Sequence, residues 1–236
     1  MLHPTIAPAF ETALEKTLAS APPAPRRVAV FDGDNTLWDG DIGEAFLRWL
    51  ASSGHLVDPP ADVWGEYERR VAVDRSAGYG WAVQVMAGLP ADRVARWAAA
   101  FAYAWPSWRA GMRAILDRIA AAGVETWLVS ASSALVVRAA APFMGIPQDR
   151  VLGMEVESSG GLLTDRLIRP LTCAGGKVEA IRRTIGLRPV AAFGDSFGDL
   201  EMLEDASAAF VVGQRSRPNA AFLDLAAVRG WPVNVF

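Results

Sequence analysis

The run Val28-Ala29-Val30-Phe31, which ends at Asp32, constrains this chain more than any other feature in it. Four apolar residues without polar alternation fit a strand buried on both faces. Strands of that kind belong to parallel sheets covered by helices on either side. The run stops at a carboxylate, and Asp32-Gly33-Asp34-Asn35-Thr36 follows at once. Open parallel sheets bind their ligands beyond the carboxyl ends of the strands, so the position suits a site. By itself the segment also reads as a polar surface turn. A calcium loop fails on spacing, because Leu37 stands sixth where Gly is needed and Gly43 stands twelfth where Glu is needed.

The rest of the chain alternates in the same manner. A short helix is expected over 8–19, stopped by the proline-rich segment 21–25. Helical patterns cover 44–51, 63–73, 80–87 and 92–103 with no β-rich run between them. Beyond Pro106 come a helix at 108–122, a strand at 124–130 and a helix at 134–141. Residues 151–157 and 162–169, joined by Ser158-Ser159-Gly160-Gly161, read as a β-hairpin. A helix at 177–185, a strand at 189–195, a short helix at 200–204, a strand at 208–212 and a helix at 219–228 complete the pattern. Strands alternating with helices imply an α/β fold, a Rossmann-like parallel sheet sandwiched by helices. The helical stretch interrupts that alternation, so the expected division is a core of 1–40 and 106–236 with a helical cap, 41–105, inserted after the first strand.

Three further signals converge on the same sheet edge. Gly194-Asp195-Ser196-Phe197-Gly198-Asp199 follows another apolar strand and adds two carboxylates. Two acidic clusters at two strand ends repel each other unless a cation compensates, and a hard oxygen-seeking ion such as Mg²⁺ would do so. Ser130 ends the strand of 124–130 and is followed by Ala131-Ser132-Ser133. A strand-end hydroxyl with helix N-terminal amides can cradle phosphate, although an N-cap serine would look the same. Lys177, behind Gly175-Gly176, opens a helix, where its charge opposes the helix dipole unless an anion faces it.

Composition narrows the function. With 236 residues, 52% hydrophobic and 21% charged, the chain is ordinary for a globular enzyme. Its formal net charge of −3 supplies no basic field for nucleic acid or an anionic membrane, so an anionic substrate needs local positive charge or a metal. Cys173 is the single cysteine and forms no intrachain disulfide. Residues 1–20 lack a signal-peptide pattern, and no apolar stretch has membrane-spanning length. A cytoplasmic location is expected. His3 and His55 have no ligand-spaced partners and read as surface residues.

Asp-x-Asp-x-Thr, then Ser, Lys and Gly-Asp-x-x-x-Asp, in this order, resembles the haloacid dehalogenase superfamily, and the hairpin and helical insert resemble its phosphoserine phosphatase branch. The resemblance implies a Mg²⁺-dependent phosphomonoesterase acting on a small phosphorylated metabolite through an aspartyl-phosphate. It assigns Asp32 as nucleophile and Asp34 as general acid and base. Asp32, Asp34 (through its carbonyl), Asp195 and Asp199 would hold or support the metal. Ser130, Ala131 and Lys177 would bind phosphate, and Thr36 would steady the loop. Phosphoserine phosphatases read the substrate carboxylate with a cap arginine, but Ala82 occupies that place here, leaving Arg69, Arg70 or Arg75 as substitutes. Asp41 matches the acid that reads the substrate amine. The segment 39–44, with Glu44, also resembles phosphorylcholine phosphatases, and Trp38, Trp49, Trp64, Tyr67, Tyr79, Trp81, Trp97, Tyr103 and Trp105 could supply aromatic faces for a cationic head. The alternatives are a phosphomutase, a phosphatase of neutral phosphosugars, and a non-catalytic phosphate-binding module. A dehalogenase would share the fold but leave Asp34 without a task.

Overall fold

A computed structural model describes residues 6–20 and 26–236. His3 and the proline-rich stop at 21–25 lie outside the described residues. Helix α1 (Pro8–Ser20) precedes β1 (Val28–Phe31), which is buried at every position. Four helices follow: α2 (Ile42–Ser52), α3 (Val63–Val73), α4 (Arg75–Gln84) and α5 (Ala91–Tyr103). Then come α6 (Ala110–Ala121), β2 (Glu125–Ser133), α7 (Ala134–Ala140), β3 (Val151–Met154), β4 (Val156–Ser159) and β5 (Leu162–Leu167). The chain closes with α8 (Gly175–Thr184), β6 (Ala191–Gly194), α9 (Leu200–Asp205), β7 (Ala209–Gly213), α10 (Ala220–Arg229) and β8 (Val233–Val235).

The main sheet is parallel throughout, in the order β3-β2-β1-β6-β7-β8. From β1 the chain moves outward to β2 and β3, then returns to the other side of β1 with β6. That reversal puts the crevice of an open α/β sheet at the C-terminal ends of β1 and β6. Register holds them level: Phe31 pairs with Phe193, and the Asp32 N–H donates to the Phe193 carbonyl at 2.9 Å. On one face Phe31, Phe193 and Phe210 stack at 4.2 and 4.8 Å, with Phe10 of α1 edge-on to Phe210 at 5.1 Å. Sheet register and an aromatic core thus fix the two acidic strand ends against each other.

Three features differ from the expectation. The hairpin expected over 151–157 and 162–169 is divided: Val151–Met154 joins the main sheet beside β2, and only β4 pairs antiparallel with β5. A single apolar run here serves two sheets, because Leu128 and Val129 offer a parallel edge to its first half. Helix α4 starts at Arg75, five residues before the expected 80, because Asp74 Oδ1 caps it by accepting from the Ser76 and Ala77 amides at 2.8 and 3.2 Å. Its glycines mark contact, since a Cβ at Gly78 would lie 2.4 Å from Val71 of α3. Strand β8, with polar Asn234 at its centre, was not expected.

The hairpin also reaches the helical block. Gly88 and Ala91 amides donate to Leu163 and Gly161 carbonyls, and the Leu163 amide donates to Leu89, at 2.8–2.9 Å. At the other end, the Asp39 amide donates to Ser107 at 2.9 Å and the Arg109 amide to Leu37 at 3.2 Å. Arg109, 8% exposed at its side chain, adds a 3.2 Å ion pair to Asp39. The two chain connections to α2–α5 are therefore zipped together directly behind the acidic loop.

Candidate active site

Asp32 leaves the end of β1 into a cavity of about 440 Å³ between the sheet edge and α2–α4. Its Oδ1 accepts from Lys177 Nζ at 2.7 Å, across 145 residues of chain. The same ammonium donates to Asp199 Oδ1 at 2.6 Å. Lys177 is the third residue of α8 and only 2% exposed, so its charge faces carboxylates instead of water. Burial alone would lower its pKa, but Asp199 and Asp32 outweigh that and hold it above the ordinary lysine range. Two of its three N–H donors are used, and one remains for an anion.

Asp32, Asp195 and Asp199 place one carboxylate oxygen each within 4.8 Å of one another. Burial, then the Asp199 charge, pushes Asp32 up to about 7. The same two causes raise Asp195 well above the usual carboxylate range. Asp199 is fully engaged: its Oδ2 accepts from the Asp195 and Ser196 amides at 3.1 and 3.3 Å. It supports the cluster, and all three carboxylates line the cavity. Two buried carboxylates and the half-buried Asp195 against one ammonium leave an excess of negative charge, and an all-oxygen donor set of this kind suits Mg²⁺.

Asp34 is held separately. Its Oδ1 accepts from Trp38 Nε1 at 2.8 Å and the Ile42 amide at 2.7 Å. Its Oδ2 accepts from Ser132 Oγ at 2.7 Å and Ser130 Oγ at 3.3 Å. Burial raises its pKa despite these donors. Its side chain is thus outside the three-carboxylate cluster and tied to the first turn of α2. The loop between is closed by Asn35, at φ 62°, whose Oδ1 accepts from the Gly40 amide at 3.1 Å.

Ser130 is fully buried, accepts from the Ser132 amide at 3.0 Å, and does not line the cavity. The wall is made by Ala131, Ser132 and Ser133. Strand β2 runs on through Ser133 instead of yielding to a helix after Ser130, and its register against β3 shifts between Val129 and Ser133, where Ser132 reaches the cavity. Ser132 was the residue missed, and the Ser-x-Ser spacing was its only local signal. Gly43 belongs to the same arrangement, because a Cβ there would lie 2.2 Å from Ser132 Oγ. Thr36 is fully buried with its hydroxyl unpartnered, while its amide donates to the Gly33 carbonyl at 3.1 Å.

Asp41 caps α2, accepting from the Glu44 amide at 2.8 Å, and burial pushes its carboxyl well above the ordinary range. Glu44 is half-buried; it accepts from the Tyr67 hydroxyl at 3.0 Å, and burial raises its pKa. Both carboxylates line the cavity. Arg75 lines it too, whereas Arg69 and Arg70 are bound to Glu66. Of the nine aromatic residues considered from sequence, only Tyr67 and Tyr79 line the cavity. The tryptophans pack elsewhere: Trp38 on Trp108, Trp49 among Phe46, Phe101 and Trp97. His55 is not a free surface residue either; it is half-buried and stacks on Trp97 at 4.0 Å. Cys173 is buried in the cavity wall, its Sγ 3.1 Å from Ser76 Oγ.

Known proteins agree with this architecture. A protein of Mycobacterium leprae named as a hydrolase is 27% identical over 223 residues, covering 88% of this chain and 72% of that protein. A phosphoserine phosphatase of Mycobacterium tuberculosis is 29% identical over 131 residues, covering 53% of this chain and 41% of that enzyme. A solved structure of a Bordetella pertussis protein of unknown function superposes with a TM-score of 0.76 at 22% identity, over 89% of this chain and 98% of that one. Among the described residues no helix is long and apolar enough to cross a membrane. The family model for haloacid dehalogenase-like hydrolases matches residues 29–204, from β1 through the second acidic cluster to α9, and the chain belongs to that family.

Proposed function

We propose that the protein hydrolyses small phosphate monoesters with Mg²⁺, through a phosphoryl group carried on Asp32. The observation that supports this most is the buried triad in which Lys177 meets Asp32 and Asp199 at 2.7 and 2.6 Å beside the uncompensated carboxylate of Asp195. Asp32 attacks the phosphorus, so one difficult displacement becomes two easier ones. Lys177 directs its remaining donor at the transferring phosphoryl oxygens, where neutralising charge matters more than covalent help. Asp34, protonated when substrate binds, gives its proton to the leaving alkoxide and then takes one from water. Its raised pKa suits the first role, and the Ser132 and Trp38 bonds aim it. Asp32 and Asp195, with the Asp34 carbonyl, would hold Mg²⁺, and Asp199 would steady that set; the ion supplies charge neutralisation at the phosphoryl group.

Residues 41–105 act as the cap over this site, and Asp41 and Glu44 favour a leaving group with a positive charge. Two carboxylates beside Arg75, which forms no ion pair among the described residues, support a phosphoserine-like zwitterion over phosphocholine, since the tryptophans do not line the cavity. The test is a magnesium-supplemented screen across phosphate monoesters, with Asp32→Asn as control. Asp32→Asn is expected to fall to near background, because uncatalysed monoester hydrolysis is among the slowest reactions known, with enzymatic accelerations of up to ~10²¹. A tenth of wild-type turnover in that variant refutes the nucleophile.

A further inference from the structure

Four polar side chains of α2–α4 meet in the cavity: Asp41 and Glu44 at the start of α2, Tyr67 of α3 and Tyr79 of α4. Burial, and with it the charges of Asp41 and Glu44, raises both phenols above the ordinary tyrosine range, so the four groups share one small volume. Each carboxylate is half used. Asp41 Oδ1 accepts from the Glu44 amide at 2.8 Å, and Glu44 Oε1 accepts from the Tyr67 hydroxyl at 3.0 Å. Asp41 Oδ2, Glu44 Oε2 and the Tyr79 hydroxyl have no hydrogen-bond partner among the described residues, yet none of the three is sealed in protein. Arg48, a cation that acts on Glu44, is exposed over the Trp64 ring at 3.3 Å and does not line the cavity.

Tyr67 fixes this arrangement. It is 4% exposed, and its ring lies 5.0 Å from that of Trp64. With Oε1 taken by its hydroxyl, Glu44 offers Oε2 to a ligand; without it the carboxylate could turn freely. Two carboxylate oxygens and one phenol oxygen make three open acceptors. A primary ammonium brings three N–H donors, and each methyl group on the nitrogen removes one. A quaternary ammonium keeps its charge but has no donor, and it is held by aromatic faces instead. We infer that Tyr67 is a positioning residue which, by holding Glu44, builds with Asp41 and Tyr79 a subsite that counts the N–H donors on the cationic head of the leaving group. The class it takes is a primary ammonium, and N-methylated heads are rejected in step with their methyl groups. The inference deepens the head-group preference stated above and rests on the phosphatase reading for its phosphate anchor.

The experiment uses the full chain with Mg²⁺ and aminoethylphosphonate with its N-methyl, N,N-dimethyl and N,N,N-trimethyl derivatives, whose C–P bond resists phosphatase chemistry. Calorimetry gives Kd, and kinetics of the matching series from phosphoethanolamine to phosphocholine run in parallel. Each of the last two methyl groups is expected to weaken binding about tenfold, since each removes a hydrogen bond to a carboxylate. Tyr67→Phe should bind the unmethylated compound more weakly and flatten the series. Glu44→Gln, at the less buried end of the same bond, should flatten it too and decides the matter if Tyr67→Phe does not fold. A flat series in wild type overturns the inference, as does affinity that rises with methylation, the result expected of tyrosine faces. A series equally steep in the folded variants overturns it as well. A graded phosphonate series without hydrolysis of p-nitrophenyl phosphate keeps the subsite and sinks the phosphatase. A flat series in an active enzyme does the reverse.

Discussion

Replacing Lys177 by Met keeps the length and apolar stem of the side chain while deleting the charge that Asp32 and Asp199 share. The side chains of the three residues are 3%, 9% and 2% exposed, so water does not replace the lost partner. Breaking a buried pair by removing one member costs about 3–5 kcal/mol, because the remaining charge stays buried and uncompensated. For a chain of this size each kcal/mol shifts the melting temperature by roughly 2–4 °C, so Lys177→Met is expected to unfold about 6–20 °C below wild type. Calorimetric or circular-dichroism melts in chelated neutral buffer make the measurement, because an added divalent ion would itself neutralise the carboxylates. The double variant Lys177→Met with Asp199→Asn should recover part of the loss, with a coupling energy above ~1 kcal/mol, since a neutral amide no longer needs the ammonium. A Lys177→Met protein within about 3 °C of wild type, or strict additivity in the double variant, refutes the view that this triad is one electrostatic unit.

Chelation should abolish hydrolysis and Mg²⁺ restore it, with Ca²⁺ a poor substitute because of its looser, higher coordination; full activity in a chelated sample removes the metal from the reaction. Ser132→Ala deletes the 2.7 Å bond that aims the protonated Asp34, and a hydrogen bond between neutral groups is worth about 0.5–1.5 kcal/mol, so kcat should fall about two- to tenfold with KM little changed. Loss confined to KM would make Ser132 a substrate-binding wall and nothing more. Asp41→Ala should lower kcat/KM for phosphoserine far more than for p-nitrophenyl phosphate, which has no ammonium to desolvate. An unchanged ratio of the two would leave Asp41 as a helix cap alone.

Much of this arrangement is legible locally. A strand buried on both faces must be apolar throughout, so β1 and β6 declare themselves, and the carboxylates that end them stand out against them. Alternation of such strands with helices implies the parallel sheet, and the all-helical stretch between β1 and α6 is visible as a break in it. The order Asp-x-Asp, Ser, Lys, Gly-Asp carries the family. These features repeat at short range, where burial imposes a period on the residues themselves.

The remainder depends on which distant surfaces meet. Val151–Met154 and Val156–Ser159 are both short extended segments, and only the free parallel edge of β2 assigns the first to the main sheet. Ser130 and Ser132 differ in nothing local; β2 continuing to Ser133, and Gly43 letting α2 approach, decide which hydroxyl meets the cavity. Rich in aromatic residues, the segment 41–105 invites an aromatic cage, yet packing of α2 on α5 turns Trp49 and Trp97 toward each other and His55. Lys177 reaches Asp32 across 145 residues because α8 packs against the sheet edge, a contact no window of sequence contains. Periodicity reports whether a side chain is buried; which partner buries it is decided by tertiary packing, where sheet register and helix approach are set.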